Sequence, residues 1–209
     1  MKKINAGKTI LDLCGGTGAW SKFYKEAGYT VYNITLPKYD VKGYWFTGEY
    51  LCFTGLRIPI AEIYGILAAP VCTMFSLART RAKTPRDLKQ GMDLVIACLG
   101  IIWGCRYVHK LAFWALENPM GFLRQFLGKP AFTFDPTDFG EGYTKKTDLW
   151  GYFNIPRKKL VKLSEEEKAR YKINNRKLPS ISDITGSKQS ARRAVTPAEF
   201  AKAFYKANK

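Results

Sequence analysis

Hydrophobic positions along the chain fall into short blocks separated by glycine, proline and charge. Residues 9–13, TILDL, are an apolar block closing on an acid, and CGGTGAW follows. Ser21 to Ala27 is a helical stretch, and Gly28 stops it as a C-cap does. YTVYNITL, at 29–36, predicts a second strand. Strand, glycine turn, helix and strand in that order open a parallel α/β sheet. IYGILAA, at 63–69, predicts a third strand. Thr84-Pro85 predicts the start of a long helix, with threonine as N-cap and proline at the first helical position. Leu88, Met92, Val95, Leu99 and Ile102 recur along it at spacings of four and three, which gives one buried stripe. KLAFWALENP at 110–119, AFTFDPTDFG at 131–140 and DLWGYF at 148–153 predict later strands.

After Pro156 the pattern changes. Residues 157–209 hold 15 Lys and Arg against 5 Asp and Glu, and aliphatic residues thin out. Ser164 with Glu167 has the form of a capping box, and 172–193 is polar and reads as loop. Thr196 with Glu199 forms a second capping box. Phe200, Ala203, Phe204 and Ala207 give the final helix an apolar face that should dock on the main body. The chain divides into a core at 1–156, a basic segment at 157–195 and a closing helix at 196–209.

Composition narrows the class. A length of 209 residues with 46% hydrophobic content suits one domain with a full core. The net charge of +17 attracts polyanions, nucleic acid first among them, although a merely solvated basic surface has the same sign. Five cysteines without a C-x-x-C pair point to a reducing compartment, with neither a disulfide framework nor a zinc site. A single histidine, His109, argues against a metal centre and against a Ser-His-Asp triad. The N-terminus lacks the apolar stretch of a signal peptide, and the longest apolar run, Leu94 to Cys105, is short for a bilayer. The expected location is the cytoplasm.

Three strand ends carry candidate chemistry, and ligands of open α/β sheets sit at the carboxyl ends of strands. The first is Asp12 with the glycine turn that follows. Ser21 stands where a dinucleotide fingerprint needs its third glycine, so a nucleoside without pyrophosphate fits better; a tight turn with no ligand fits equally well. The second is Pro70-Val71-Cys72, where Cys72 is either a packed thiol or a nucleophile. The third is Glu117-Asn118-Pro119, where Glu117 is either a cap or surface carboxylate or a general acid. A thiolate beside a carboxylic acid can add to an electron-poor ring. SLARTRAKTPR, at 76–86, holds Arg79, Arg81, Lys83 and Arg86 with no acid before Asp87; it is a solvated loop or a phosphate-binding one.

With these residues in view, the chain resembles the DNA cytosine-C5 methyltransferases, above all the compact members of phage genomes. LDLCGGTGAW resembles the family's D-L-F-x-G-x-G-G, and AAPVCTMFS its G-G-P-P-C-Q-x-F-S. LENP is similar to the E-N-V motif, DFGEGYTKKTDLWGYF to F-G-x-P-Q-x-R-x-R-x-x-F, and RRAVTPAEFAKAF to the closing G-N-S-V-x-P and helix. The five follow family order across most of 9–204. The resemblance implies a Rossmann-like class I methyltransferase fold: an α/β protein with a mostly parallel seven-stranded sheet, six strands parallel and one antiparallel, and helices on both faces. It implies S-adenosylmethionine as cofactor and a monomer that flips the target base out of double-stranded DNA. Cys72 would attack C6 of cytosine, Glu117 would bind and protonate N3, and Lys145 would keep one positive charge near the site. Asp12, Cys14, Gly16, Gly18 and Trp20 match the cofactor turn. Thr35, Asp40, Pro70 and Ala194 complete the cofactor pocket. Arg79, Arg81, Lys83 and Arg86 would contact nucleic acid.

The departures from the family pattern are specific. Asn33 and Thr35 stand at the end of the second strand, where an acid for the ribose hydroxyls is usual. Tyr143, Lys145 and Thr147 replace Gln, Arg and Arg, and Arg193 and Ala194 replace Asn and Ser. The long target-recognition region is missing, with only 156–196 in its place, which implies low sequence specificity and steep salt dependence. Methylation of RNA, transfer of a group other than methyl, and an inert DNA-binding protein on the same scaffold stay open alternatives.

Overall fold

The computed structural model describes residues 5–77, 79, 82–159 and 194–209. Among them are nine strands: β1 Thr9–Leu13, β2 Thr30–Ile34, β3 Trp45–Thr47, β4 Tyr50–Phe53, β5 Leu56–Pro59, β6 Ile63–Ala68, β7 Phe113–Pro119, β8 Phe132–Phe134 and β9 Thr147–Tyr152. The helices are α1 Lys22–Glu26, α2 Leu88–Val108, α3 Arg124–Leu127 and α4 Ala198–Ala207. The capping box at Ser164, the polar stretch at 172–193 and Arg81 lie outside the described residues.

Every residue of β1 is buried, as a strand covered on both faces requires. It pairs in parallel with β2 and with β6, and β6 pairs in parallel with β7. The main sheet has six strands in the order β2-β1-β6-β7-β9-β8. Side chains alternate between two cores. Leu11, Leu13, Ile66 and Leu116 belong to one, with Val95, Ile101 and Ile102 of α2. Ile10, Leu67, Phe113 and Ala115 belong to the other, with Tyr24 of α1 and Phe200 and Phe204 of α4. The α4 rings dock closely, Phe200 stacking on Phe134 with centroids 3.9 Å apart.

The seven-stranded, mostly parallel sheet is not what forms. The main sheet is mixed: β9 runs antiparallel to β7, and β8 antiparallel to β9. A second, three-stranded antiparallel sheet, β3-β4-β5, stands apart from it. Connection length accounts for the second sheet. A parallel crossover needs a dozen or more residues, commonly a helix. The strands β3, β4 and β5 are three or four residues long and joined by the two-residue turns Gly48-Glu49 and Thr54-Gly55, so only antiparallel pairing is open to them. Residues 135–146, with the 3-10 turn Pro136–Phe139 among them, separate β8 from β9, and the chain doubles back.

The long helix starts later than Thr84-Pro85. Arg79 takes the Thr84 hydroxyl and the Pro85 carbonyl, and Asp87 is the N-cap, accepting from the Gln90 amide at 2.8 Å. The helix then runs 21 residues, longer than the Leu94–Cys105 run, and is apolar enough to meet the length and composition of a membrane span. In this fold Val95, Cys98, Ile101, Ile102 and Cys105 are fully buried in the core. The capping box predicted at Thr196 does not close. Pro197 is the N-cap of α4, and the Glu199 amide donates to the Glu141 carboxylate instead.

Candidate active site

The ends of β1, β6 and β7 lie side by side, and each carries one predicted constellation. At β1, Asp12 is buried and its Oδ2 accepts from Ser21 Oγ at 2.5 Å. Gly15 is required by this carboxylate: a Cβ there would lie 2.3 Å from the Asp12 Cγ. Gly16 and Gly18 take the left-handed region, at φ +55° and +73°, and none of the described residues lies within 4 Å of where a Gly16 Cβ would be. Burial pushes the Asp12 pKa up to about 6, against the Ser21 hydrogen bond. Among the described residues, Oδ1 of Asp12 has no hydrogen-bond partner.

Cys14 also takes a left-handed conformation, and its amide donates to the Ile34 carbonyl at 2.8 Å. Its thiol hydrogen-bonds with Cys98 of α2, which lowers the Cys14 pKa against burial and the carboxylates of Asp12 and Asp40. The structure thereby brings Asp12, Cys14 and Asp40 together. Asp40 is exposed and accepts from the Lys42 amide, capping a short 3-10 turn. Thr35 is half-buried, its carbonyl taking the Tyr39 amide. Asn33 braces the glycine turn. Its Nδ2 donates to the Gly16 carbonyl at 3.0 Å, while its Oδ1 is buried without a partner among the described residues. Trp20 is placed differently from the rest of the turn. It is 1% exposed and packs on Phe200 and Phe204 of α4. Ala194 is exposed.

β6 and β7 deliver Cys72 and Glu117 from neighbouring parallel strands, with Ala68 opposite Leu116. Beyond the pairing, three contacts hold the two connections together. Asn118 Nδ2 donates to the Pro70 carbonyl at 3.0 Å, the Phe122 amide donates to the Phe75 carbonyl at 2.9 Å, and Ser76 forms a β-bridge with Gly121. Pro70 is buried and Cys72 half-buried. The Cys72 carbonyl accepts from the amides of Phe75 and Ser76, so the thiol-bearing residue begins a tight turn.

The Glu117 carboxylate is largely buried, and burial raises its pKa; Lys145 opposes the rise and Asp148 adds to it. Lys145 Nζ lies 3.8 Å from Glu117 Oε1. Its backbone is fixed on both sides, its amide donating to Asp135 Oδ1 at 2.7 Å and its carbonyl accepting from Thr147 Oγ1 at 2.6 Å. Beside Glu117, fully buried Asp148 is held by Arg124 through two 2.6 Å hydrogen bonds and by Thr133. Burial also raises the Tyr143 phenol to about 12.

The basic loop divides by role. Lys83 is exposed. Arg79 is spent on Thr84 and Pro85, and Arg86 donates to the carbonyls of Met74 and Ser76 at 2.9 Å each. Arg86 also lies over the Phe122 ring at 4.9 Å. It is a clamp on the turn after Cys72. Sequence reasoning passed over this clamp, the Asn118–Pro70 link, the Ser21–Asp12 bond and the Arg124–Asp148 pair. The Asn next to Glu117 was the one visible signal among them. A cleft of about 380 Å³ lined by Arg106, Tyr107, His109 and Tyr152 lies at the opposite end of β7 and contains none of the predicted site residues.

No model of a known protein family matches the chain, and no curated protein does.

Proposed function

We propose that the protein is an S-adenosylmethionine-dependent cytosine-C5 methyltransferase that acts on DNA with low sequence specificity. The observation that carries this reading is the joining of the Cys72 turn to the Glu117 strand end through Asn118 and Pro70. A thiol and a buried acid delivered by adjacent strand ends suit addition to a pyrimidine ring.

In this reading Cys72 adds to C6 of the flipped cytosine and Glu117 donates a proton to N3, so the ring accepts the electron pair. The raised pKa of Glu117 keeps it a proton donor nearer neutral pH than an exposed carboxylate. S-adenosylmethionine, when bound, supplies the electrophilic methyl group that C5 accepts. Loss of the C5 proton then expels the Cys72 thiolate and restores the ring.

The residues at the glycine turn fit such a cofactor. Among the described residues Asn33 Oδ1 and Asp12 Oδ1 are buried acceptors without donors, and a nucleoside sugar and an amino group bring donors. The space over Gly16 admits close approach. Asn33 takes the place of the usual acid without its charge.

Incubation with methyl-labelled S-adenosylmethionine and either DNA or RNA tests the reading, with Cys72→Ala and Glu117→Ala as controls. The expected product is 5-methylcytosine in DNA, lost in both variants. DNA containing 5-fluorocytosine should trap a covalent adduct with the unaltered protein, because fluorine does not leave as a proton does. Absence of label on DNA, or equal labelling by Cys72→Ala, overturns the mechanism.

A further inference from the structure

We propose that Phe122 and Phe126 form a stacking surface for the bases that flank the target cytosine, standing in for part of the missing target-recognition region. This rests on the reading of DNA as substrate. The two rings stand at i and i+4 across the turn that opens α3, with the Gln125 amide bonded to the Phe122 carbonyl and the Phe126 amide to that of Leu123. They are 39% and 47% exposed, unusual for two phenylalanines on one short turn. Both are fastened to the turn that begins at Cys72. Phe122 donates its amide to the Phe75 carbonyl, and Phe126 packs edge-on against the Phe75 ring with centroids 6.1 Å apart. Leu77, also exposed, follows Ser76, whose bridge partner Gly121 precedes Phe122.

Charge decides what covers this patch. The chain carries +17, and exposed Lys83 lies in the loop whose Arg86 packs on Phe122. An apolar protein surface would gain nothing from that excess, whereas unstacked DNA bases on a polyanionic backbone use both the rings and the charge. Aromatic stacking tolerates any base, which suits an enzyme with about forty residues where its relatives in pattern have a reading domain.

The test is binding of a short fluorescein-labelled DNA strand containing one cytosine, followed by anisotropy across salt concentrations without cofactor. The Phe122→Leu, Phe126→Leu double variant keeps apolar bulk on Phe75 but loses the π faces. It should bind on the order of tenfold or more weaker, with the slope of log affinity against log salt unchanged, because rings release no counterions. Phe122→Tyr with Phe126→Tyr should retain affinity. Binding by the leucine variant as tight as the unaltered protein overturns the stacking surface and leaves the methyltransferase reading intact. Failure of the unaltered protein to bind DNA at all overturns the substrate assignment, and the stacking surface falls with it.

Discussion

The side-chain amide of Asn118 donates to the carbonyl oxygen of Pro70 across 3.0 Å, with Asn118 wholly buried. This bond joins the residue after Glu117 to the residue two before Cys72. It converts two strand ends into one unit, since neither connection can shift without leaving the Pro70 carbonyl unpaired. Asn118→Ala should therefore cost about 1–3 kcal/mol of stability, the usual loss when a buried acceptor is stranded. In the proposed reaction it should also reduce methyl transfer more than cofactor affinity, because the glycine turn belongs to β1. Urea unfolding and cofactor titration, run beside the transfer assay, separate the two effects. Equal losses of cofactor affinity and of transfer would speak against this role.

Arg86 and Lys83 should differ in kind. Arg86 bonds two carbonyls of the turn after Cys72, whereas Lys83 is exposed. Arg86→Ala should destabilise by about 1–3 kcal/mol and lower transfer at least tenfold, with little change in the salt dependence of DNA binding. Lys83→Ala should leave transfer at saturating DNA near normal and reduce the salt slope by about 0.7–0.9, one phosphate contact. Affinity measured from low to moderate salt decides it. A lowered slope in Arg86→Ala would restore it to the phosphate contacts.

How much of this was legible in the sequence varies with the range of the interaction. TILDL forms β1 over the residues its pattern marks, and Cys72 follows β6 while Glu117 sits near the end of its neighbour β7, because an apolar run closing on polar residues and proline is a local signal. The antiparallel sheet at 45–59 was hidden because strands of three and four residues are too short to show alternation, although Gly48 and Gly55 with positive φ mark its turns. The direction of β9 was also out of reach. DLWGYF has the same alternation either way, and only the pairing of Glu117 with Leu149 fixes it. Asn33 looked like a missing acid because its bond to the Gly16 carbonyl spans 17 positions. Arg86 looked like a phosphate ligand because the reach of a long side chain is not written in its neighbours.

Asp12 makes stability fall with pH. Burial raises its pKa from 3.8 to about 6 in the folded chain. Below 3.8 both states hold the proton and nothing is lost. Between 3.8 and about 6 the unfolded chain gives up the proton while the folded chain keeps it, so stability decreases as pH rises, levelling above 6. The decrease is about 3 kcal/mol at most, on a scale of 1.36 kcal/mol per unit. Asp12→Asn should flatten this contribution and raise the urea midpoint at pH 7–8 relative to pH 4, less the Ser21 bond. If the variant and the unaltered protein show parallel profiles from pH 4 to 8, Asp12 is not the titrating group.

Lys145 should set the pH range over which Glu117 works. In the proposed reaction Glu117 must carry a proton to give it to N3, so the rate should decline on the alkaline side as Glu117 ionises. Lys145, with its Nζ 3.8 Å away, favours the ionised carboxylate and holds the pKa below what burial and Asp148 would set. Lys145→Met removes that charge while keeping the length of the side chain. The alkaline limb of kcat/KM should then move to higher pH, with the maximal rate lowered by the lost contact. Glu117→Gln should abolish the limb along with most of the rate. Asp135→Asn, which weakens the hold on the Lys145 amide at 2.7 Å, should move the limb in the same direction as Lys145→Met but less far. A limb that stays in place in Lys145→Met would mean that the ammonium does not act on Glu117. The rate loss would then be one of packing alone.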